Sequence, residues 1–224
     1  MIAMMDAYRH IAPVYDAVTA SFLRGPRRAL AETCAGLGTR RVLDMGCGTG
    51  TLATMLREQA DFAVGLDRSA AMLKAGARGR RERAADDSGG RRPDDAGREP
   101  RRPLFVLGDA ANPPFAPGSF DALLYALILH ETTADAAALL EAGFALAPLA
   151  LILEWRMPER NLDTLCTFWT HIIERLAGRE HYRQFRAFMR AGGVRGLARR
   201  VGASILSERA LAGNSLVLAV LRRD

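Results

Sequence analysis

The sequence Val-Leu-Asp-Met-Gly-Cys-Gly-Thr-Gly at residues 42–50 is the clearest indication of the fold. Its first residues are apolar and typical of a buried strand, and Asp44 precedes three glycines at alternate positions, Gly46, Gly48 and Gly50. Residues 51–59 then follow a helical pattern. A strand, a glycine turn and a helix in this order build a nucleotide-sized pocket at the carboxyl end of a parallel strand. The stretch therefore predicts an α/β protein that binds a nucleotide-like ligand.

The sequence on both sides of this stretch predicts the rest of the sheet. Strand patterns occur at residues 40–45, 62–67, 104–109, 120–129 and 149–155, with helical patterns between most of them. Such alternation favours parallel strands joined by right-handed crossovers. Residues 203–209 and 215–221 form a closing hairpin around Gly213. We expect one domain over residues 1–224, with a Rossmann-like, seven-stranded, mostly parallel sheet, helices on both faces and a C-terminal antiparallel hairpin.

Three segments lie outside this core. Residues 1–38 are expected to form an N-terminal helical cap: two short helices separated by Pro13, then a helix over residues 27–37 with Pro26 in its first turn. Residues 76–103 are rich in Arg, Asp, Gly and Pro, which predicts a disordered charged insertion after a helix over residues 70–77. That this insertion contacts an anionic surface stays open. Residues 157–200 follow mostly helical patterns and are expected to form a separate helical region.

Composition excludes several classes of function. The net charge is +6, but no nucleic-acid-binding module accompanies it, so no nucleic acid is expected. No run approaches the roughly 18–20 apolar residues that span a bilayer, although peripheral membrane contact stays open. The N-terminus shows no signal-peptide pattern. Three scattered cysteines, Cys34, Cys47 and Cys166, lack the spacing of metal ligands. These features predict a reduced, cytoplasmic protein without a metal site.

Three acids end the first three predicted strands and should meet at one edge of the sheet. Asp67 lies about 20 residues beyond the glycine turn, where a carboxylate binds ribose hydroxyls. Asp109 and the backbone of Ala110 are placed to meet an adenine edge, and Asp44 to neutralise an ammonium group. A dinucleotide fingerprint would need glycine where this chain has Thr51, which argues against a nicotinamide or flavin cofactor.

In this order, residues 42–50, Asp67, Gly108-Asp109-Ala110 and Phe120-Asp121 resemble the successive motifs of class I S-adenosylmethionine (SAM)-dependent methyltransferases. Residues 8–16, Tyr-Arg-His-Ile-Ala-Pro-Val-Tyr-Asp, resemble the N-terminal segment of the ubiquinone/menaquinone C-methyltransferase-like branch (methyltransferase type 11). Bacterial phosphatidylethanolamine N-methyltransferases carry a similar segment. The sequence departs from the family at residues 145–150, Ala-Leu-Ala-Pro-Leu-Ala, where a Pro-Gly-Gly turn is usual.

The resemblance implies SAM as the cofactor and a binding site assembled from strand ends and the N-terminal segment. Arg68 and Met72 would flank the adenine, Ala126 would border the methyl-donor pocket, and Tyr15 would close over it. The implied cofactor-binding residues are Tyr15, Asp44, Gly46, Cys47, Gly48, Gly50, Asp67, Arg68, Met72, Asp109, Ala110 and Ala126.

His130 follows the fourth predicted strand and is the candidate catalytic residue, either as a base or as a group that orients the acceptor. That His130 instead caps the following helix or bonds locally stays open, and Glu131 is read as structural. The resemblance implies that residues 157–200 form a helical lid over the acceptor. Further residues are candidates either for this lid or for the core: Trp155, Arg156, Trp169, His171 and Tyr182, with His10 a weaker candidate.

The predicted activity is methyl transfer from SAM to a small-molecule or lipid-like acceptor, either quinone-like or a phospholipid. Two alternatives stay open. One is a catalytically inactive SAM-binding regulatory protein, which the same cofactor motifs would fit. The other is a nicotinamide-dependent oxidoreductase, against which Thr51 argues. The sequence leaves the acceptor atom and the oligomeric state undecided.

Overall fold

The computed structural model describes residues 8–86, 102–132, 135–156 and 178–223. These residues form a seven-stranded sheet flanked by helices. The strands are β1 (Arg41–Met45), β2 (Phe62–Asp67), β3 (Leu104–Leu107), β4 (Ala122–Ala126), β5 (Leu149–Trp155), β6 (Ser204–Leu211) and β7 (Leu216–Arg222). The helices are α1 (Tyr15–Gly36), α2 (Thr51–Met55), which continues as a 3₁₀ turn (Leu56–Glu58), α3 (Ala70–Asp86), α4 (Ala136–Phe144), α5 (Arg179–Arg190) and α6 (Gly193–Arg200).

The order of the strands across the sheet is β3-β2-β1-β4-β5-β7-β6. Neighbours among the first five strands are parallel, whereas β7 is antiparallel to both β5 and β6. The predicted fold class is therefore confirmed. In this order β1 and β4 lie side by side at the centre, with the chain leaving β1 on one side and β4 on the other. A crevice at the carboxyl ends of such strands is where open α/β sheets bind ligands.

Two apolar cores cover the two faces of the sheet. One contains Leu140 of α4 and Leu197 of α6, and the other contains Leu30 of α1 and Phe185 of α5. β4 is apolar along its whole length, and β5 is apolar except for Glu154, because helices bury both faces of these strands. No helix in the described part of the chain is long and apolar enough to cross a membrane.

Helix α1 corrects the prediction for the N-terminal cap. It runs unbroken for 22 residues with Pro26 inside it, whereas the sequence predicted a separate helix from residue 27. Proline removes one backbone hydrogen bond from a helix interior. The apolar face of α1 nevertheless continues through this point, with Leu23, Pro26 and Leu30 buried together, and this burial offsets the loss. Residues 8–14 form turns in place of the predicted first short helix, and residues 1–7 lie outside the described residues.

Helix α3 is also longer than predicted. It continues to Asp86, so the first part of the segment 76–103 is helical. Gly76 lets this helix approach the glycine turn, because a Cβ there would lie 1.9 Å from the carbonyl oxygen of Thr49. One turn later, Arg80 donates to the same carbonyl at 2.7 Å, and its guanidinium lies 4.0 Å from the centroid of Phe105. Residues 87–101 of the segment, and residues 157–177 of the predicted lid, lie outside the described residues.

We expect Gly76→Ala to lower the free energy of unfolding by about 1–3 kcal/mol, although alanine favours helices, because the new methyl group overlaps Thr49. Gly36→Ala is the matched control, since Gly36 ends α1 with no atom within 4 Å of its Cβ position. That change should stabilise the protein by about 0.5–1 kcal/mol. Urea unfolding curves of both variants test the prediction, and similar shifts in the two would contradict it.

Candidate cofactor and acceptor site

The glycine turn between β1 and α2 depends on left-handed backbone angles. Gly46, Gly48 and Gly50 have φ angles of +70°, +57° and +76°. A Cβ on Gly46 would lie 2.1 Å from Cδ1 of Ile128, and one on Gly50 would lie 2.1 Å from Cε1 of Phe105. These two glycines therefore also accommodate neighbouring side chains. At Gly48 only the flexible end of Met72 lies within 4 Å of the Cβ position, so this part of the turn is the most open to a ligand.

Asp67 at the end of β2 is held against this turn. One of its carboxylate oxygens accepts from the backbone N–H of Gly48 at 2.7 Å, and the other accepts from Ser69 at 2.7 Å. Each carboxylate oxygen accepts more than one hydrogen bond, so these bonds fix the group and leave it able to receive ribose hydroxyls. Met72 is buried behind Gly48, whereas Arg68 is exposed to solvent.

Asp44 at the end of β1 is a buried carboxylate with an incomplete set of partners. Its Oδ2 atom has no hydrogen-bond partner in the described part of the chain. Burial raises the pKa of Asp44 to about 7, with Arg27 lowering it and Asp67 raising it. A buried acceptor beside a glycine turn fits a ligand that brings an ammonium group, since an opposite charge favours the ionised carboxylate.

The remaining predicted cofactor residues lie at the same edge of the sheet. Gly108 donates to the backbone oxygen of Asp67 at 2.9 Å, which holds the end of β3 beside β2. Asp109 is exposed and accepts from the N–H of Ala111 at 2.9 Å, with Ala110 half-buried between them. Ala126 is half-buried at the end of β4. The structure thus brings Asp44, Asp67 and the glycine turn together and leaves Asp109 farther out.

Cys47 sits inside the turn with its side chain against Gly65 of β2. Burial, followed by the negative charges of Asp44 and Asp67, raises the pKa of its thiol far above the ordinary range. The thiol is therefore protonated and unreactive, and its contribution to the turn is packing. That Cys47 contacts the cofactor stays a prediction.

The N-terminal segment is bonded to the glycine turn through Asp16, which the sequence analysis did not single out. Asp16 accepts from the hydroxyls of Thr49 at 2.8 Å and Thr51 at 3.2 Å. These bonds hold the first turn of α1 over the start of α2. The signal was present in the sequence, since Asp16 belongs to the N-terminal motif and two threonines stand among the glycines.

Tyr15 precedes Asp16 and faces the same region. Its ring lies 6.4 Å from that of Tyr8 in an edge-to-face arrangement, and the Tyr8 hydroxyl donates to Glu131. Burial is the main cause that raises the pKa of Tyr15, and Glu131 is the next. Tyr15 thus lies near acidic groups that include Glu131, Asp16 and Asp67, and its closure over a cofactor stays a prediction.

His130 is held by a buried carboxylate from the neighbouring strand. Its Nδ1 lies 2.7 Å from Oε2 of Glu154, which is fully buried in β5. Glu154 also accepts from the backbone N–H groups of Leu129 at 2.8 Å and Trp155 at 3.2 Å. The alternative that His130 caps the next helix is wrong, because Asp135 caps α4 by accepting from the N–H of Ala137.

Two further polar side chains lie beside His130. Oε1 of Glu131 is 3.8 Å from its Nε2, and the ring of His181, from the first turn of α5, is 5.5 Å away between centroids. From the sequence, Glu131 was read as structural and His181 was not singled out. Glu154 was missed as well, although a lone acid inside the apolar strand Leu-Ala-Leu-Ile-Leu-Glu-Trp was a usable signal.

The candidate lid residues divide into two groups. Trp155 is buried and stacks on Phe22, and Tyr182 stacks on Phe185. Of the two roles considered for them, lid or core, these contacts favour the core. Arg156 is half-buried at the end of β5, and His10 is exposed. Trp169 and His171 lie outside the described residues.

Solved structures share this arrangement of strands. The fold is similar to magnesium protoporphyrin IX methyltransferase from Synechocystis with bound SAH, with a TM-score of 0.60 and 18% identity over 92% of this chain and 87% of that one. An O-methyltransferase family protein from Burkholderia thailandensis gives a TM-score of 0.65 and 19% identity, covering 95% of this chain and 59% of that one. At such identities the likeness defines the fold, which is that of SAM-dependent methyltransferases.

Sequence comparison gives similarities to methyltransferases. Residues 43–152 match the family described as a methyltransferase domain. The chain is 32% identical to the demethylmenaquinone methyltransferase of Renibacterium salmoninarum over 143 residues, 62% of this chain and 51% of that protein. Identity to the Roseiflexus sp. enzyme of the same name is 32% over 140 residues, 60% of this chain and 51% of that protein. The chain therefore spans about half the length of these curated relatives. Residues 43–152, just under half of the chain, thus match the methyltransferase family, and the similarity to SAM-dependent methyltransferases supports SAM as the cofactor.

Proposed function

We propose that this protein transfers a methyl group from SAM to a small-molecule acceptor, and that the acceptor is quinone-like. The observation that carries the proposal is the close grouping of the Asp44 and Asp67 carboxylates with the glycine turn, next to a histidine held by a buried glutamate. The two relatives named above are demethylmenaquinone methyltransferases, and this supports a quinone-like acceptor over a phospholipid.

The protein's residues fit SAM group by group. Asp44 supplies a buried carboxylate for the ammonium, Asp67 receives the ribose hydroxyls, and the open backbone at Gly48 admits the ligand. Tyr15, from the N-terminal segment, would close this site. When bound, SAM supplies an electrophilic methyl group on a positively charged sulfur. The protein's main task is then to hold the acceptor in line with that methyl group and exclude water.

His130 is the residue proposed to act on the acceptor. If Nδ1 donates its proton to Glu154, the lone pair resides on Nε2, the nitrogen that faces Glu131. A histidine in this tautomer accepts a proton from an acceptor hydroxyl. Loss of that proton makes the ring of a reduced quinone a better carbon nucleophile. Glu154 would thus be a positioning residue for His130.

We expect Asp67→Asn to weaken SAM binding roughly 10- to 100-fold, because neutral groups make weaker hydrogen bonds to ribose hydroxyls than a carboxylate does. Asp61→Asn is the matched control, because Asp61 lies just before the opposite end of β2, in an exposed ion pair with Arg40. It should leave the dissociation constant within about twofold. Isothermal titration with SAM measures both.

Three assays separate the proposed function from its competitors. A wild-type protein that binds no SAM in the titration would refute the proposal, as would tight binding of NADH instead. A protein that binds SAM yet releases no S-adenosylhomocysteine with a panel of reduced quinones, phenols and phospholipids would refute the enzymatic part. Turnover with phospholipids alone would overturn the quinone assignment.

A further inference from the structure

We propose that His130, Glu131 and His181 form a binding site for a divalent transition-metal ion at the carboxyl end of β4. Each residue offers one ligand atom, and the three atoms all lie within 4.8 Å of one another. The proposal extends beyond methyl transfer, and metal binding requires neither SAM nor an acceptor. It also differs from the sequence analysis, which expected no metal site from the cysteines. Here the donors are two histidines and a carboxylate from separate parts of the chain.

The separations suit a shared ion. Nitrogen and oxygen ligands lie about 2.0–2.2 Å from zinc, so two atoms bound to one ion lie no more than about 4.4 Å apart. Nε2 of His130 and Oε1 of Glu131 are already 3.8 Å apart. The imidazole rings of His130 and His181 meet at 89° with their centroids 5.5 Å apart. Small side-chain rotations would therefore bring all three atoms to a common ion.

Two of the three ligands already have the outer partners that metal ligands require. The buried Glu154 lies 2.7 Å from Nδ1 of His130, and a proton on Nδ1 directs the Nε2 lone pair at the proposed ion. Tyr8 donates to Oε2 of Glu131, which leaves Oε1 as the atom nearer His130. Hydrogen bonds of this kind fix the orientation of ligating groups, and their loss typically weakens metal binding about 10- to 100-fold.

The donor set indicates which ions would bind. Two imidazoles and one carboxylate suit Zn²⁺, Fe²⁺, Co²⁺ and Ni²⁺, whereas Mg²⁺ and Ca²⁺ prefer sites built from oxygen. Three protein ligands leave coordination positions for water or for an acceptor oxygen. An ion there also compensates the negative charge of Glu131 and Glu154, which both lie beside His130.

The site would give the proposed reaction a second way to activate its acceptor, and this step rests on the proposed function. A bound cation lowers the pKa of a hydroxyl that it coordinates, so the hydroxyl proton is lost to solvent more readily. With Nε2 of His130 bound to the ion, that nitrogen does not act as the base. His130 would therefore be a metal ligand in the metal-bound protein and a base in the metal-free protein.

Metal titration of the full chain tests the site. Protein freed of metal by chelation is titrated with Co²⁺, followed by visible absorption, and with Zn²⁺ in competition with a chromophoric chelator. We expect one ion per chain for the wild type, a loss of affinity of about 100-fold or more for His181→Ala and Glu131→Gln, and about 10-fold for Tyr8→Phe. His10→Ala is the matched control, since His10 is exposed, and should bind as the wild type does. Mg²⁺ should not displace Co²⁺.

Two results would overturn the site. One is a wild type that is folded by circular dichroism and binds neither Co²⁺ nor Zn²⁺. The other is an equal loss of affinity in His181→Ala and His10→Ala, which would indicate adventitious binding to surface histidines. A SAM titration of the same metal-free sample reports separately on the proposed function. Failure of the metal site and failure of the methyltransferase assignment are therefore distinguishable.

Discussion

Asp44→Asn is expected to stabilise the ligand-free protein above pH 7 by roughly 2–4 kcal/mol. Burial raises the pKa of Asp44 from its ordinary value of 3.8 to about 7. Between these two pH values the folded protein holds a proton that the unfolded chain has released, so the free energy of unfolding falls as the pH rises. This loss of stability is absent below about pH 4 and complete above about pH 7. At 1.36 kcal/mol per pH unit it amounts to about 4 kcal/mol, and burial of the amide reduces the gain.

Urea unfolding at pH 5 and pH 8.5 measures this effect. The difference between the two pH values should shrink in Asp44→Asn relative to the wild type. Asp121→Asn is the contrasting variant. Burial raises the pKa of Asp121, but hydrogen bonds from Arg41 and Arg40 outweigh it and hold this pKa below its usual range, so the carboxylate is ionised at both pH values. Its replacement should therefore lower stability equally at pH 5 and pH 8.5 and leave the difference between them unchanged. An unchanged pH dependence in Asp44→Asn would contradict the argument.

The same substitution should weaken SAM binding about 30- to 100-fold at pH 8, because the ammonium of SAM loses its buried carboxylate. In the wild type the ammonium favours the ionised form of Asp44, so binding at pH 6 should release a proton. Isothermal titration in two buffers of different ionisation enthalpy measures that proton. Asp44→Asn should release none. A variant that binds SAM as tightly as the wild type would place the ammonium elsewhere.

Glu154→Ala is expected to lower the free energy of unfolding by about 3–5 kcal/mol, because three buried donors lose their acceptor at once. These donors are the backbone N–H groups of Leu129 and Trp155 and the ring of His130. Glu154→Gln keeps the volume and one oxygen, so its cost should be nearer 2 kcal/mol. Glu141→Gln is the matched control because Glu141 is exposed on α4, and it should change stability by less than about 0.5 kcal/mol.

Activity separates a positioning role of Glu154 from a purely structural one. If Glu154 sets the tautomer of His130, Glu154→Gln should lower kcat about 10-fold or more at a temperature where the variant is fully folded, with the KM for SAM unchanged. A variant that is destabilised but keeps the wild-type kcat would show that Glu154 only supports the fold. Circular dichroism at the assay temperature provides the check on folding.

The sheet was predictable because its signals are local. Each central strand is an apolar run bounded by turn residues, and β2 and β5 begin and end where the sequence predicted. The ends of α1 and α3 could not be predicted, because tertiary contacts overrode the helix-breaking effect of Pro26 and Gly76. Local propensity cannot reveal that a glycine is needed for contact with Thr49, 27 positions earlier in the chain.

The candidate site divides in the same way. Asp44 and Asp67 were predictable because strand ends in a parallel sheet share one edge. The environment of His130 was not, because its neighbours come from β5 and α5, and no spacing rule connects Glu154 or His181 to it. The pKa of Asp44 likewise depends on three-dimensional burial, which the sequence alone does not supply.

The place of β7 in the sheet has a consequence for how the chain folds. β5 is synthesised well before β7, yet one edge of its apolar sequence is paired only when β7 inserts between β5 and β6. Pairing across so long a stretch of chain is slow, because the loop must close before contacts compensate for its lost entropy. Until then β5 presents an unpaired apolar edge, the type of surface on which chains aggregate. Refolding yield should therefore fall as protein concentration rises, with insertion of β7 as the step that competes with aggregation.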